Sequence, residues 1–178
     1  MRHAGPTRKE LGVRTAFNLL GPMTNPAGAS RQLVGVSRPE HTELLARTLG
    51  DLGAKRAWVV HGAGGLDEIS TSGHTKVSEY IGDSVNSFYV HPADAGLPIA
   101  STQDLAGGSA ADNAAMIERV LAGERGPRRD IVLLNAGAAL LIAGEAAAIK
   151  DGVARAAQSI DTGAAKGALA RLREICGR

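Results

Sequence analysis

Ala57-Trp58-Val59-Val60-His61-Gly62-Ala63-Gly64-Gly65-Leu66-Asp67-Glu68-Ile69-Ser70 runs from an apolar segment through glycines to two adjacent carboxylates. The short apolar run reads as a buried strand and the glycines as a loop at its C-terminal end. Open α/β sheets bind their ligands at that end of the strands. Paired carboxylates beside a flexible loop suit Mg²⁺, a hard cation that takes one or two carboxylates and shares the oxygens of substrate phosphates. The stretch therefore reads as half of a phosphate-substrate site. A glycine-rich or basic phosphate cradle, the other half, is not evident elsewhere in the chain.

Upstream, Gln32-Leu33-Val34-Gly35-Val36 predicts a second buried strand. Pro39 to Leu52 predicts a helix, with Pro39 in its first turn, Gly53 past its end, and Leu44, Leu45, Thr48, Leu49 and Leu52 at helical spacing. Strand, helix and the strand Arg56 to His61 form a βαβ unit, so the two strands are expected to be parallel with a right-handed crossover. Downstream, Thr75 to Ile81 and Val85 to Val90 read as a hairpin turning at Gly82-Asp83. The expected sheet is thus mixed.

Residues 91–108 read as a loop rich in Pro, Gly and Ala, and the last third as helices. Ser109 caps a helix to about Ala122, with Asp112 in its first turn. Pro127 opens a second helix ending at Gly144, and Glu145 to Ile160 and Ala164 to Ile175 follow. Toward the N-terminus, residues 7–21 suggest two short helical segments, with Thr7 and Glu10 spaced as a capping box, and Met23 to Ser30 is a loop.

The chain has 178 residues, of which 44% are hydrophobic but only 3% aromatic, so the core must be built from Ala, Val, Leu and Ile. That size suits one domain with a sizeable core. A net charge of +2 and a pI near 8.9 are too mildly basic to indicate nucleic acid, and few aromatics leave no stacking platform. A single cysteine, Cys176, excludes an internal disulfide and a cysteine zinc site and fits a reducing cytoplasm. The longest apolar run, Ile131 to Ala143, is interrupted by Asn135 and too short to span a bilayer.

Individual side chains carry ordinary readings beside functional ones. Asp67-Glu68 could be a solvated acidic turn; both can serve one metal cluster only if the backbone turns between them, or else they hold two separate ions. Gly62-x-Gly64 begins a dinucleotide fingerprint, but its third glycine would fall at Asp67, so that reading is rejected. Arg8 could pair in two-pronged fashion with a substrate carboxylate or simply sit solvated on a helix. The histidines at 3, 41, 61, 74 and 91 show no metal spacing, and Arg125, Arg128 and Arg129 read as a solvated turn.

Arg8-Lys9-Glu10-Leu11-Gly12-Val13-Arg14-Thr15-Ala16-Phe17-Asn18-Leu19-Leu20-Gly21-Pro22-Met23-Thr24-Asn25-Pro26-Ala27 resembles the central signature of the anthranilate phosphoribosyltransferase family. Val59-Val60-His61-Gly62 followed by Gly65-Leu66-Asp67-Glu68-Ile69-Ser70 is similar to its second block, in matching order and separation. Gly107-Gly108-Ser109-Ala110-Ala111-Asp112-Asn113-Ala114 and Asp130-Ile131-Val132-Leu133-Leu134-Asn135-Ala136 resemble its C-terminal helices.

The resemblance implies transfer of phosphoribose from phosphoribosyl pyrophosphate to the amine of anthranilate, in tryptophan biosynthesis. It implies an α/β domain plus a small helical domain, in a cytoplasmic homodimer. Asp67 and Glu68 would hold Mg²⁺, Arg8 would face the anthranilate carboxylate, and Gly21-Pro22 would line the acceptor pocket. Residues 1–27 would be a remnant of the helical domain and hinge. Residues 28–178 would be the C-terminal part of the α/β domain, a partial mixed sheet flanked by helices.

The family's N-terminal half carries a Gly-Thr-Gly-Gly-Asp phosphate loop and a Lys-His-Gly-Asn segment, and neither string occurs here. The chain is therefore expected to be an incomplete portion, inactive alone, with sheet edge and apolar surface exposed. Two further expectations stand beside it: a non-catalytic interaction module, and a pyrimidine-nucleoside phosphorylase-type transferase.

Overall fold

The structure, a computed structural model, describes Glu10 and residues 20–177. Four strands, β1 (Arg31–Gly35), β2 (Arg56–His61), β3 (Thr75–Ile81) and β4 (Ser84–Val90), form one sheet in the order β1-β2-β3-β4. β1 and β2 pair in parallel, while β3 is antiparallel to both β2 and β4, giving the expected mixed sheet. The helices are α1 (His41–Asp51), α2 (Ala110–Leu121), α3 (Pro127–Ala143), α4 (Ile149–Asp161) and α5 (Ala164–Cys176). The two short helical segments expected in residues 7–21, and the cap at Thr7, lie outside the described residues.

β2 is the axis of the molecule. Ala57, Trp58, Val59 and Val60 are all buried, because both faces of the strand are covered. Ala57 and Val59 point to one side, where they pack with Val34, Leu45 and Leu49, the last two from α1. Trp58 and Val60 point to the other, into a larger cluster with Val77, Leu134, Ala138, Ile142 and Val153 from β3, α3 and α4. Period-two alternation thus feeds two cores at once.

Three polar ties fix the register of these layers. One oxygen of Glu79 on β3 accepts from Arg56 Nε (2.8 Å) and from Trp58 Nε1 (2.7 Å), across the β2–β3 pairing. Arg56 also donates to the carbonyl of Leu141 (2.9 Å), and Arg31 to that of Ile142 (2.9 Å). The C-terminal end of α3 is therefore capped by arginines from the first residues of β1 and β2.

Several boundaries differ from expectation for local reasons. β1 starts and ends one residue early, although Val36 N–H still reaches the carbonyl of Val60 (2.9 Å). α1 starts at His41 because Pro39 closes a tight turn, its carbonyl accepting from the Thr42 hydroxyl (2.9 Å). Glu145 does not open α4, since its N–H returns to the carbonyl of Leu140 (2.9 Å) and completes the end of α3 at left-handed Gly144. The hairpin turns at Gly82 (φ 55°) and Asp83 (φ 63°), as a two-residue turn with both central φ positive requires.

β1 forms one edge of the sheet, and an open apolar groove of about 750 Å³ runs between α3, α4 and the start of α5. Among the described residues, no helix is long and apolar enough to cross a membrane.

Candidate functional site

The C-terminal ends of the two parallel strands, Gly35 and His61, open onto the Gly62–Ser70 segment. Gly62 folds back on itself there. Its N–H donates to the carbonyl of Leu66 (2.8 Å), and its carbonyl accepts from Gly65 N–H (3.1 Å). Gly64 (φ 78°) and Gly65 (φ 79°) take the left-handed conformations this reversal needs. The chain then bends at both Asp67 and Glu68 before entering the buried Ile69-Ser70-Thr71 segment. That bend is the condition under which adjacent carboxylates can serve one ligand.

Two glycines let this loop sit directly on the strand ends. A β-carbon on Gly35 would lie 1.5 Å from the carbonyl oxygen of Asp67, and one on Gly62 would lie 2.4 Å from that of Glu68. The main chain beneath each carboxylate is therefore packed against bare strand backbone. His61 adds a tie between the strands, with Nδ1 2.9 Å from the carbonyl of Val36. A carbonyl only accepts, so Nδ1 carries the hydrogen.

Beyond the acids, Asn135 of α3 holds Ile69 with both ends of its amide. Oδ1 accepts from Ile69 N–H (2.9 Å), and Nδ2 donates to the Ile69 carbonyl (2.8 Å). Ser70 N–H donates to Thr75 Oγ1 (2.9 Å), and the Ser70 and Ser72 hydroxyls meet at 2.7 Å. The acidic bend is thus clamped on both sides while its own side chains stay exposed. Partial desolvation, and then the neighbouring Asp67 charge, raise the Glu68 carboxyl above the ordinary range.

The donor set fits Mg²⁺. It consists of hard carboxylate oxygens, and among the described residues neither carboxylate forms an ion pair or accepts a hydrogen bond. No cluster of three or more His, Cys, Asp or Glu side chains suited to a metal occurs among the described residues. Two carboxylates would leave the remaining positions of an octahedral ion to water and substrate oxygens, as this metal prefers.

Gly21 and Pro22 lie apart from the pair. Gly21 precedes a single turn, Pro22–Thr24, and Pro22 lines a small cavity with Met23, Ser30, Leu49 and Ala54. That cavity is at the N-terminal ends of β1 and β2, at the opposite end from Asp67 and Glu68. Arg8 lies outside the described residues.

Sequence reading missed Gly35 and Asn135. Signals for both were present: a glycine inside an apolar strand marks close backbone approach, and an amide interrupts an otherwise apolar helix.

A family model described as "Glycosyl transferase family, a/b domain" matches residues 1–166. The chain belongs to this glycosyl transferase family. Among relatives, the anthranilate phosphoribosyltransferase of Rhodospirillum rubrum is 55% identical over 177 residues, covering 99% of this chain and 51% of that protein. The anthranilate phosphoribosyltransferase of Caulobacter vibrioides is 55% identical over 172 residues, covering 97% and 50%.

Among solved structures, the anthranilate phosphoribosyltransferase of Thermus thermophilus superposes with a TM-score of 0.88 at 45% identity, over 96% of this chain and 50% of that one. The Saccharomyces cerevisiae enzyme in complex with PRPP and Mg superposes with a TM-score of 0.78 at 28% identity, over 92% and 47%. The chain therefore spans about half the length of the relatives it matches. The two solved structures superpose on nearly the whole of its mixed sheet and helical flanks.

Proposed function

We propose that this chain is the C-terminal portion of an anthranilate phosphoribosyltransferase. In the complete enzyme it would help transfer phosphoribose from phosphoribosyl pyrophosphate to the anthranilate nitrogen, for tryptophan biosynthesis. The observation that carries this reading is the acidic bend at Asp67-Glu68, fixed over the C-terminal ends of two parallel strands by Gly35 and Gly62. Relatives of the same name matching almost the whole chain support it. The reading takes residues 1–27 as the end of a helical domain and hinge, and residues 28–178 as part of the α/β domain. It places the complete enzyme in the cytoplasm as a homodimer.

Carbon 1 of the ribose loses pyrophosphate and gains the aniline nitrogen, while negative charge gathers on the leaving group. Asp67 and Glu68 would hold Mg²⁺, which supplies charge neutralisation at the pyrophosphate oxygens. A carboxylate holds the metal in its ionised form, so desolvation and the Asp67 charge, which favour the protonated form of Glu68, would oppose metal binding in acid. The clamped main chain keeps the pair oriented before substrate arrives, so little reorganisation accompanies the developing charge. Arg8 would orient the acceptor through its carboxylate, and Gly21-Pro22 would contact its ring. Positioning of the weakly basic amine supplies much of the remaining acceleration.

The test is loss of anthranilate fluorescence in the presence of phosphoribosyl pyrophosphate and Mg²⁺, with this chain joined to the N-terminal half of a close relative. Turnover in the joined protein, and its collapse on changing both Asp67 and Glu68 to Ala, is the expected result. Turnover unaffected by the double substitution would overturn the metal assignment. Phosphorolysis of a pyrimidine nucleoside in place of anthranilate consumption would overturn the substrate assignment.

A further inference from the structure

We infer that Asn135, on helix α3, is a positioning residue that sets the orientation of the Asp67-Glu68 pair through the main chain of Ile69. The inference rests on the reading of that pair as metal ligands. Ile69 is fully buried, so its N–H and carbonyl have no water to turn to. Asn135 satisfies both, at 2.9 Å and 2.8 Å, in the manner of a strand partner supplied by one side chain. Its Nδ2 also donates to the carbonyl of Ile131 (3.0 Å), one turn back on its own helix, which fixes the amide's direction.

The helix that carries Asn135 is itself immobilised. Its C-terminal carbonyls are held by Arg31 and Arg56, at the far end of β1 and β2. Leu134 and Ala138, either side of Asn135 in sequence, are fully buried in the core beneath the sheet. Six residues of helix, about 9 Å, separate Asn135 from Leu141. α3 therefore acts as a strut: arginines from the start of β1 and β2 grip its C-terminal end, and an amide at its midpoint grips the residue after Glu68.

An outer partner that orients a metal ligand commonly changes metal affinity by about 10–100-fold when lost. A neutral amide suits this place better than a charge, since it offers a donor and an acceptor together without perturbing the carboxylates beside it.

The test uses the ¹⁵N-labelled chain with Mn²⁺ as the probe. Paramagnetic broadening of amides at residues 66–70 reports metal at the pair, and hydrogen exchange at Ile69 reports the clamp. Asn135→Leu is expected to accelerate Ile69 exchange and to weaken the Mn²⁺ effect about tenfold or more. Leu133→Val, a buried change elsewhere on α3, is expected to leave both unchanged. Should Asn135→Leu not fold, Asn135→Ser, whose hydroxyl is too short to span both Ile69 groups, decides by the same readings. Unchanged Mn²⁺ broadening in an Asn135 variant would overturn the inference, provided Asp67→Asn/Glu68→Gln abolishes it. If that double variant still binds Mn²⁺ like the original chain, the metal reading fails instead, and Ile69 exchange alone decides the clamp.

Discussion

The carbonyl of Asp67 occupies the space over Gly35 where any other residue would carry its β-carbon. A β-carbon there would lie 1.5 Å from the carbonyl oxygen, less than half a normal contact. Strand end and acidic bend therefore form one unit, and the site inherits its geometry from a strand buried early in the chain.

Gly35→Ala must push the bend away or deform β1. We expect a loss of about 1–3 kcal/mol in stability, toward the upper end because the opposing atoms are main chain. Urea denaturation measures the loss, and Mn²⁺ broadening at residues 66–70 should weaken in parallel. An alanine variant with unchanged stability and unchanged metal response would show that the loop is free to move.

The Glu68 carboxyl titrates high, chiefly from desolvation and secondly from Asp67. The folded chain thus holds this proton more tightly than the unfolded chain does. Stability attributable to Glu68 is greatest in acid and falls as pH rises from the ordinary carboxylate range through the raised value. If the pair holds a divalent cation as proposed, its binding should run the other way, strengthening across that interval as the carboxylate ionises. Carbon-detected NMR titration should give a raised midpoint that moves down in Asp67→Asn. A midpoint at or below the ordinary range would contradict this.

Glu79 gathers Arg56 and Trp58 on one oxygen, with its side chain only 15% exposed. Glu79→Ala would leave the guanidinium and the indole N–H short of partners. A fully buried pair loses about 3–5 kcal/mol in such a case, and residual exposure should bring this nearer 2–3 kcal/mol. Glu79→Gln should cost less, since its oxygen still accepts from Trp58. Trp58 is the only tryptophan of the chain, so its fluorescence follows the unfolding directly.

Ser109 and Asp112 form a reciprocal cap at the start of α2, with Ser109 N–H donating to Asp112 Oδ2 (3.0 Å). Ser109→Ala should destabilise the helix by about 1 kcal/mol. Faster amide exchange confined to the first turn of α2 is the expected signature.

Much of this architecture was legible in the sequence. β2, β3 and the hairpin at Gly82-Asp83 follow from apolar runs punctuated by turn residues, and α2 and α3 from Ser109, Pro127 and Gly144. Apolar patterning fixes which residues face the core, so these elements announce themselves. The start of α4 did not, because it opens at Ile149 behind Ala148 with no side-chain cap to mark it, while the Glu145 N–H returns to Leu140. The acidic pair was readable from its position after β2. Its support was not, because Gly35 lies 32 positions upstream of Asp67 and Asn135 lies 66 beyond Ile69. Those neighbours exist only once the βαβ unit and α3 have folded together.

A crystal soaked with Mn²⁺ and phosphoribosyl pyrophosphate, with anomalous scattering collected at the manganese edge, tests the role of the acidic pair most directly. If Asp67 and Glu68 hold the cation, a peak will lie about 2.1 Å from at least one of their carboxylate oxygens. Manganese found elsewhere, with both side chains turned to bulk solvent, would contradict it.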